Sequence, residues 1–255
     1  MGILSLFKLD GKKAIVTGAG RGLGKEIAIG LAEAGADVAV IDMLPKDAEE
    51  TAAEIQKLGR ASIAIEADVT SEDSVKNSIK EAIDKFGRID ILVNNAGICS
   101  WFPAEDMEFN TWKQVMDVNL NGVFLYCKWV GKEMINQKAG SIINVSSMSA
   151  YIVNIPQKQC HYNTSKAAVV HLTKSLALEW APYNVRVNVV CPGFMMTPLL
   201  KLADKEILDQ WISLTPQKRI PDPSELKGIF VFLASDAASY FTGSSIIGDG
   251  GYTLP

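Results

Sequence analysis

Tyr162 and Lys166, in the run His161-Tyr162-Asn163-Thr164-Ser165-Lys166, stand four residues apart where the apolar spacing is helical, so a phenol and an ammonium share one face. Such a pair is a tunable acid/base. A free tyrosine ionises near about pH 10, and a neighbouring cation lowers that value by favouring the phenolate. The spacing alone is common, because any helix can carry a tyrosine and a lysine for packing and solubility. The elements that would position the pair therefore decide what it does.

The 255 residues are 48% hydrophobic and 21% charged, proportions that place the chain among ordinary globular proteins. A net charge of -4 offers no basic stripe for a phosphate backbone, which argues against nucleic acid and for a small-molecule partner. Cys99, Cys127, Cys160 and Cys191 are scattered, and the only histidines are His161 and His171, so neither a disulfide framework nor a metal site is readable. The opening Met-Gly-Ile-Leu-Ser-Leu-Phe has no basic stretch before its apolar patch, and Leu6 breaks the myristoylation pattern, so no membrane attachment and a cytoplasmic location are expected.

From Lys13 onward short β-rich runs alternate with longer helical ones, which predicts an α/β fold: one doubly wound domain over residues 1–255 with a seven-stranded, mostly parallel sheet covered by helices on both faces. Strands are expected at Ala14 to Thr17, Val38 to Asp42, Ser62 to Glu66, Ile89 to Asn94, Ser141 to Val145, Val185 to Cys191 and Ser245 to Ile247. Helices are expected at 22–34, 46–58, 71–86, 108–137 and 162–181. The stretch 192–223 holds five of the ten prolines and a short helical segment from Leu199 to Trp211; so irregular a segment in a compact domain suits a substrate loop. After it, Asp222-Pro223-Ser224-Glu225 reads as a capped start of the last helix.

Between the first strand and first helix lies Thr17-Gly18-Ala19-Gly20-Arg21-Gly22-Leu23-Gly24. A glycine-rich turn of this kind lets backbone approach a pyrophosphate and aims the free N–H groups of the helix at it. Asp42 ends the second strand 24 residues after Gly18, where a carboxylate can accept hydrogen bonds from ribose hydroxyls and repel a 2'-phosphate. NAD is thus expected over NADP, with Arg21 as the opposing feature, since a guanidinium in the glycine turn could pair with that phosphate. Asp68-Val69 and Asn94-Asn95-Ala96-Gly97 end the next two strands on the carboxyl edge, where open α/β sheets bind ligands.

With the glycine turn, Asn94-Asn95-Ala96-Gly97, Ser146-Ser147, Tyr162-x-x-x-Lys166 and Pro192-Gly193 in order, nearly the whole chain resembles the short-chain dehydrogenase/reductase family. The resemblance implies an NAD(P)-dependent alcohol dehydrogenase or ketone reductase whose catalytic set is Asn119, Ser147, Tyr162 and Lys166. In that scheme Tyr162 is the general base, Lys166 stabilises its phenolate, Ser147 orients the substrate oxygen and Asn119 holds a water linking Lys166 to solvent. Ser149 falls at the commoner separation of 13 from the tyrosine; Ser147 is preferred by its place beyond the strand, and it requires a loop two residues longer. The implied cofactor set is Gly18, Arg21, Gly22, Leu23, Gly24, Asp42, Asp68, Val69, Asn95, Ala96, Gly97, Tyr162, Lys166, Pro192, Gly193 and Thr197.

The run from Ser146 to Gln157 resembles the loop of polyol and sugar-acid members of the family, such as mannitol, sorbitol, galactitol and gluconate dehydrogenases. Ser147, Ser149, Asn154, Gln157 and Tyr162 are its candidate substrate contacts. Trp101, Phe102, Met148, Met195 and Met196 could instead line an apolar pocket, which keeps a hydroxysteroid or 3-oxoacyl-carrier-protein reductase as the alternative and a non-catalytic dinucleotide sensor as a third reading. The family resemblance implies a homotetramer, for which Val123, Phe124, Leu176 and Trp180 offer apolar surface.

Overall fold

Valine, isoleucine and alanine dominate Lys13–Thr17 (β1), Asp37–Asp42 (β2), Ser62–Glu66 (β3), Ile91–Asn94 (β4), Gly140–Val145 (β5), Val185–Pro192 (β6) and Ser245–Gly248 (β7). The central runs are buried almost without a break, the pattern of strands covered on both faces. In the computed structural model, which describes residues 2–198 and 200–254, these seven strands form one sheet in the order β3-β2-β1-β4-β5-β6-β7. Every neighbouring pair is parallel, so the expected "mostly parallel" sheet is parallel throughout.

The helices are Gly22–Glu33 (α1), Pro45–Lys57 (α2), Glu72–Phe86 (α3), Phe109–Met116 (α4), Gly122–Gln137 (α5), Cys160–Trp180 (α6), Lys205–Leu214 (α7) and Lys227–Ala234 (α8). Alternate strand residues feed two cores. Ile15, Ile41, Leu92, Ile142 and Val187 meet Val75, Tyr126, Val130 and Val169 from α3, α5 and α6, whereas Val16, Val40, Val93 and Val145 meet Ile27, Leu31, Ile55 and Phe230 from α1, α2 and α8. Strand order reverses between β1 and β4, so a crevice opens at their carboxyl ends.

Several boundaries depart from the sequence reading. The expected helix 108–137 is broken by a π-turn at Asp117–Asn121, which inserts one extra backbone position per turn and separates α4 from α5. The expected helical segment Leu199 to Trp211 is a 3-10 turn at Leu200–Leu202 followed by α7; Leu199 itself lies outside the described residues. β3 ends at Glu66, leaving Asp68 and Val69 in the loop beyond it. The Asp222 capping box is present, but it caps a 3-10 turn at Pro223–Leu226 that leads into α8. Among the described residues no helix is long and apolar enough to cross a membrane.

Candidate active site

The glycine turn is held by side chains from the neighbouring strand ends. Asn95 donates its amide N–H groups to the carbonyls of Thr17 (3.1 Å) and Gly18 (2.9 Å), and Thr17 Oγ1 accepts the backbone N–H groups of Asn95 and Ala96. Gly18 and Gly22 take positive φ of 61° and 58°. Gly24 is needed for contact: a Cβ there would lie 2.1 Å from the Gly18 carbonyl oxygen. Arg21 caps α1 with backbone only, and the first turn carries no acidic side chain, so the N–H groups of Gly22, Leu23 and Gly24 have no capping side chain of their own. By contrast α3 is capped by Ser71.

Asp42 stands at the end of β2 and uses both carboxylate oxygens, accepting from Gly20 N–H (2.8 Å) and Leu44 N–H (3.0 Å). It thus fixes the glycine turn as well as closing the strand. Asp68 accepts from Thr70, and Val69 packs where a Cβ on Gly122 would otherwise sit. Thr197 and Pro198 lie across Gly22, within about 3.7 Å of a Cβ built there, so the start of the 192–223 loop folds back over the glycine turn. Pro192 ends β6 and Gly193 donates its N–H to Gly248, at a point where a Cβ would come within 2.7 Å of Asp249 Cα.

On the other side of the crevice α6 brings Tyr162 and Lys166 together, with Lys166 Nζ 5.6 Å from the phenol ring centroid and donating to the Val145 carbonyl at 3.0 Å. Lys166 is only 4% exposed, and burial pulls its ammonium down to about 8. Asn119 sits in the π-turn, fully buried; its Oδ1 accepts from Ile98 N–H (2.8 Å) and its Nδ2 donates to Ile98 O (2.9 Å) and Ser165 Oγ (3.1 Å). A Cβ on Gly97 would touch both Asn119 Oδ1 and Lys166 Nζ, which places the Asn95-Ala96-Gly97 turn against this pair.

The phenol departs from expectation. Its pKa is pushed up, not down: burial is the main cause, Cys99 and Cys191 add to it, and only the Ser147 hydroxyl acts in the lowering direction. Ser147 is therefore the serine within reach of the phenol, with its own hydroxyl directed to Ser149 Oγ at 3.0 Å, and Ser149 in turn donates to Asn154 Oδ1. Asn154 and Gln157 are buried at 2% and 6% exposure, with their carbonyl oxygens already engaged: Asn154 by Ser149 and Gln159, Gln157 by the Trp211 indole N–H at 3.3 Å.

Three contacts had no counterpart in the sequence reading. Ser100 and His161 Nε2 are 2.9 Å apart, pinning the loop after β4 to the start of α6. Cys99 Sγ donates to Gln159 Oε1 at 3.3 Å, and burial pushes this thiol up to about 11. Trp211 of α7 stacks on Phe194 (centroids 4.1 Å, 13°), meets Trp101 edge-on, and donates to the Ile155 carbonyl at 3.1 Å. The hydrogen-bonded partners lie 56 to 61 residues apart, and no local motif encodes such pairs.

The sequence profile of the family described as enoyl-(acyl carrier protein) reductase matches residues 18–253. A solved short-chain type dehydrogenase/reductase from Mycobacterium marinum superposes with a TM-score of 0.95 at 43% identity, covering 100% of both chains. The chain belongs to the short-chain dehydrogenase/reductase family. A sorbose reductase of Candida albicans is 43% identical to this short-chain dehydrogenase over 99% of this chain and 91% of its own. A galactitol 2-dehydrogenase of Rhizobium johnstonii is 44% identical over 97% of each. The solved gluconate 5-dehydrogenase of Burkholderia cenocepacia, in complex with NADP and tartrate, has a TM-score of 0.94 at 36% identity and covers 100% of both chains. The protein is an alcohol dehydrogenase or ketone reductase that uses a nicotinamide dinucleotide. Its residues fit that group, because α1 turns uncapped backbone N–H donors toward the crevice, suited to a pyrophosphate. Among the described residues, no group of three or more His, Cys, Asp or Glu side chains could hold a metal ion.

Proposed function

We propose that the protein interconverts a secondary alcohol of a polyol, sugar or sugar acid with the corresponding ketone, using NAD. The observation that carries this reading is the convergence of Tyr162, Lys166, Ser147 and Asn119 beside the glycine turn at the carboxyl edge of the sheet. When bound, the dinucleotide supplies the nicotinamide carbon that takes the hydride. The chain supplies the proton chemistry. Tyr162 removes the substrate hydroxyl proton, Ser147 donates to the substrate oxygen, and Lys166 stabilises the phenolate. Burial works against a phenolate here, so the base needs a cation beside it, the role given to Lys166, whose Nζ lies 5.6 Å from the ring centroid. Asn119, tied to both backbone groups of Ile98, props the turn against which Lys166 lies.

Asp42 supports NAD, because a carboxylate at the β2 terminus meets a ribose 2'-phosphate with like charge. The solved relative with NADP bears on the opposite choice, as does Arg21, exposed in the glycine turn. Relatives named for sorbose and galactitol support the polyol reading, and so does the loop chemistry. With their carbonyl oxygens spent inside the protein, Asn154 and Gln157 keep amide N–H donors, which suit hydroxyl lone pairs. Half-exposed Trp101 and Phe102 favour the second reading, an apolar alcohol such as a steroid. A cytoplasmic homotetramer completes the proposal; of the residues expected to offer apolar surface, Phe124 is exposed, while Val123 and Leu176 belong to the core. Initial rates with NAD and NADP against hexitols, pentitols, hydroxysteroids and 3-hydroxyacyl thioesters test it. Turnover is expected with polyols and NAD, and turnover confined to steroids or thioesters overturns the substrate class.

A further inference from the structure

Ser147 has two serine neighbours, and the bonds around Ser149 run in one direction. Asn154 Oδ1 can only accept, and it takes the Ser149 hydroxyl at 2.5 Å together with Gln159 Nε2 at 3.3 Å. The amide of Gln159 is oriented in turn, since its Nε2 also donates to Asn163 Oδ1 (2.9 Å) and its Oε1 accepts from Cys99. With its proton committed to Asn154, Ser149 Oγ is left to accept, and at 3.0 Å it accepts from Ser147. Ser147 Oγ meanwhile accepts the Ser149 backbone N–H at 3.1 Å. Ser147, Ser149, Asn154 and Gln159 are all at least nine-tenths buried, so water does not substitute for these partners.

We propose that Ser149 is a positioning residue for Ser147: anchored on Asn154, it holds the Ser147 hydroxyl proton away from Tyr162, and a substrate oxygen must draw that proton across by rotating the hydroxyl. The inference rests on the reading of Tyr162 as base and Ser147 as the donor to the reacting oxygen. No covalent bond is broken in this step: the Ser147 hydroxyl turns, exchanging its hydrogen bond to Ser149 Oγ for one to the substrate oxygen. The longer loop between Ser147 and Tyr162 acquires a purpose, because it carries the Asn154 that sets the direction of the chain.

The readout is the pH profile of kcat for alcohol oxidation. Removing the Ser149 oxygen frees the Ser147 proton to stabilise the Tyr162 phenolate, so the acidic limb of Ser149→Ala is expected to move down by about half a pH unit, in the size range of one modest hydrogen bond. Asn154→Ala lets the Ser149 proton turn back onto Ser147 and is expected to shift the limb in the same direction, whereas Ser149→Thr, which keeps the hydroxyl, is expected to retain the wild-type limb. The groups facing Tyr162 are Lys166 on its own helix, Cys99 from the loop after β4 and Cys191 from β6, with His161 beside it held to Ser100. Both thiols are pushed up to about 11, burial lowers His161, and Lys166 near 8 has no bond to Ser149, so their contributions cancel between wild type and variant. An acidic limb that stays put or moves up in Ser149→Ala, with kcat lowered equally at every pH, overturns the proposal and makes Ser149 merely structural. Tyr162→Phe separates the two levels. Full activity in that variant overturns the assignment of the base, whereas an inactive Tyr162→Phe with an unmoved Ser149→Ala limb overturns this inference alone.

Discussion

Lys166 carries a charge in a place that resists charge. Below about pH 8 the folded protein holds its ammonium in the interior, whereas the unfolded chain keeps it near 10.5. The penalty is therefore present through neutral pH and fades as pH rises from 8 toward 10.5, so this group makes the fold relatively more stable on the alkaline side. Lys166→Met is expected to abolish turnover yet raise the thermal midpoint at pH 7 by several degrees, on the order of 2 kcal/mol, with the gain vanishing near pH 10. Thermal melts of both proteins at the two pH values measure this. Asp42 combines a charge with a structural bond to Gly20 N–H, and two substitutions separate them. Asp42→Asn keeps an acceptor oxygen and should relax discrimination against NADP by about tenfold with little change in folding; Asp42→Ala should also weaken NAD binding by loosening the glycine turn. A wild-type enzyme that already prefers NADP in steady-state kinetics overturns the cofactor choice.

At the scale of elements, α7 is fastened by one tryptophan. Trp211 stacks on Phe194 and sends its indole N–H to Ile155 O and Gln157 Oε1, so the 192–223 segment is tied to the loop that follows Ser147. Trp211→Phe keeps the stack and loses the donor. The expected result is a KM for the polyol raised about fivefold, with kcat within about twofold, since a net hydrogen bond is worth about 1 kcal/mol; a fall in kcat at unchanged KM contradicts a binding role. The strands and the glycine turn were legible because burial on two faces and sharp turns impose residue types locally, as in Val38 to Asp42 and Gly18 to Gly24. The π-turn at Asp117–Asn121 was not: its residues continue a helical pattern, and the extra backbone position follows from tertiary contacts of Asn119 with Ile98 and Ser165. The direction of the Tyr162 shift was missed for a related reason. Sequence spacing reveals the cation beside it, but not the depth of its burial.

For the whole molecule, two cores flank a single sheet, yet some apolar side chains remain outside both. Phe109 on α4, Phe124 on α5 and Leu178 on α6 are exposed, Leu178 at 81%. Exposed apolar residues on the outer faces of packed helices suit subunit contact. Leu178→Glu is expected to lower the oligomeric state by at least one step in sedimentation analysis while leaving the monomer folded by circular dichroism; a wild-type protein that sediments as a monomer overturns the assembly proposed above.

The segment 151–159 is the point where these separate attachments meet. Asn154 reaches Ser149, Ile155 and Gln157 hold α7 through Trp211, and the Lys158 carbonyl receives Phe102 N–H from the loop after β4. Val153 within it is 78% exposed and Ile155 is 52% exposed. A protease that cleaves beside Val153 would part the chain between Ser147 and all three tethers with one cut, leaving them joined to α6 alone and the seven-stranded sheet intact. Under limited digestion, activity should then decay with the first nick while the fragments still migrate as one folded particle.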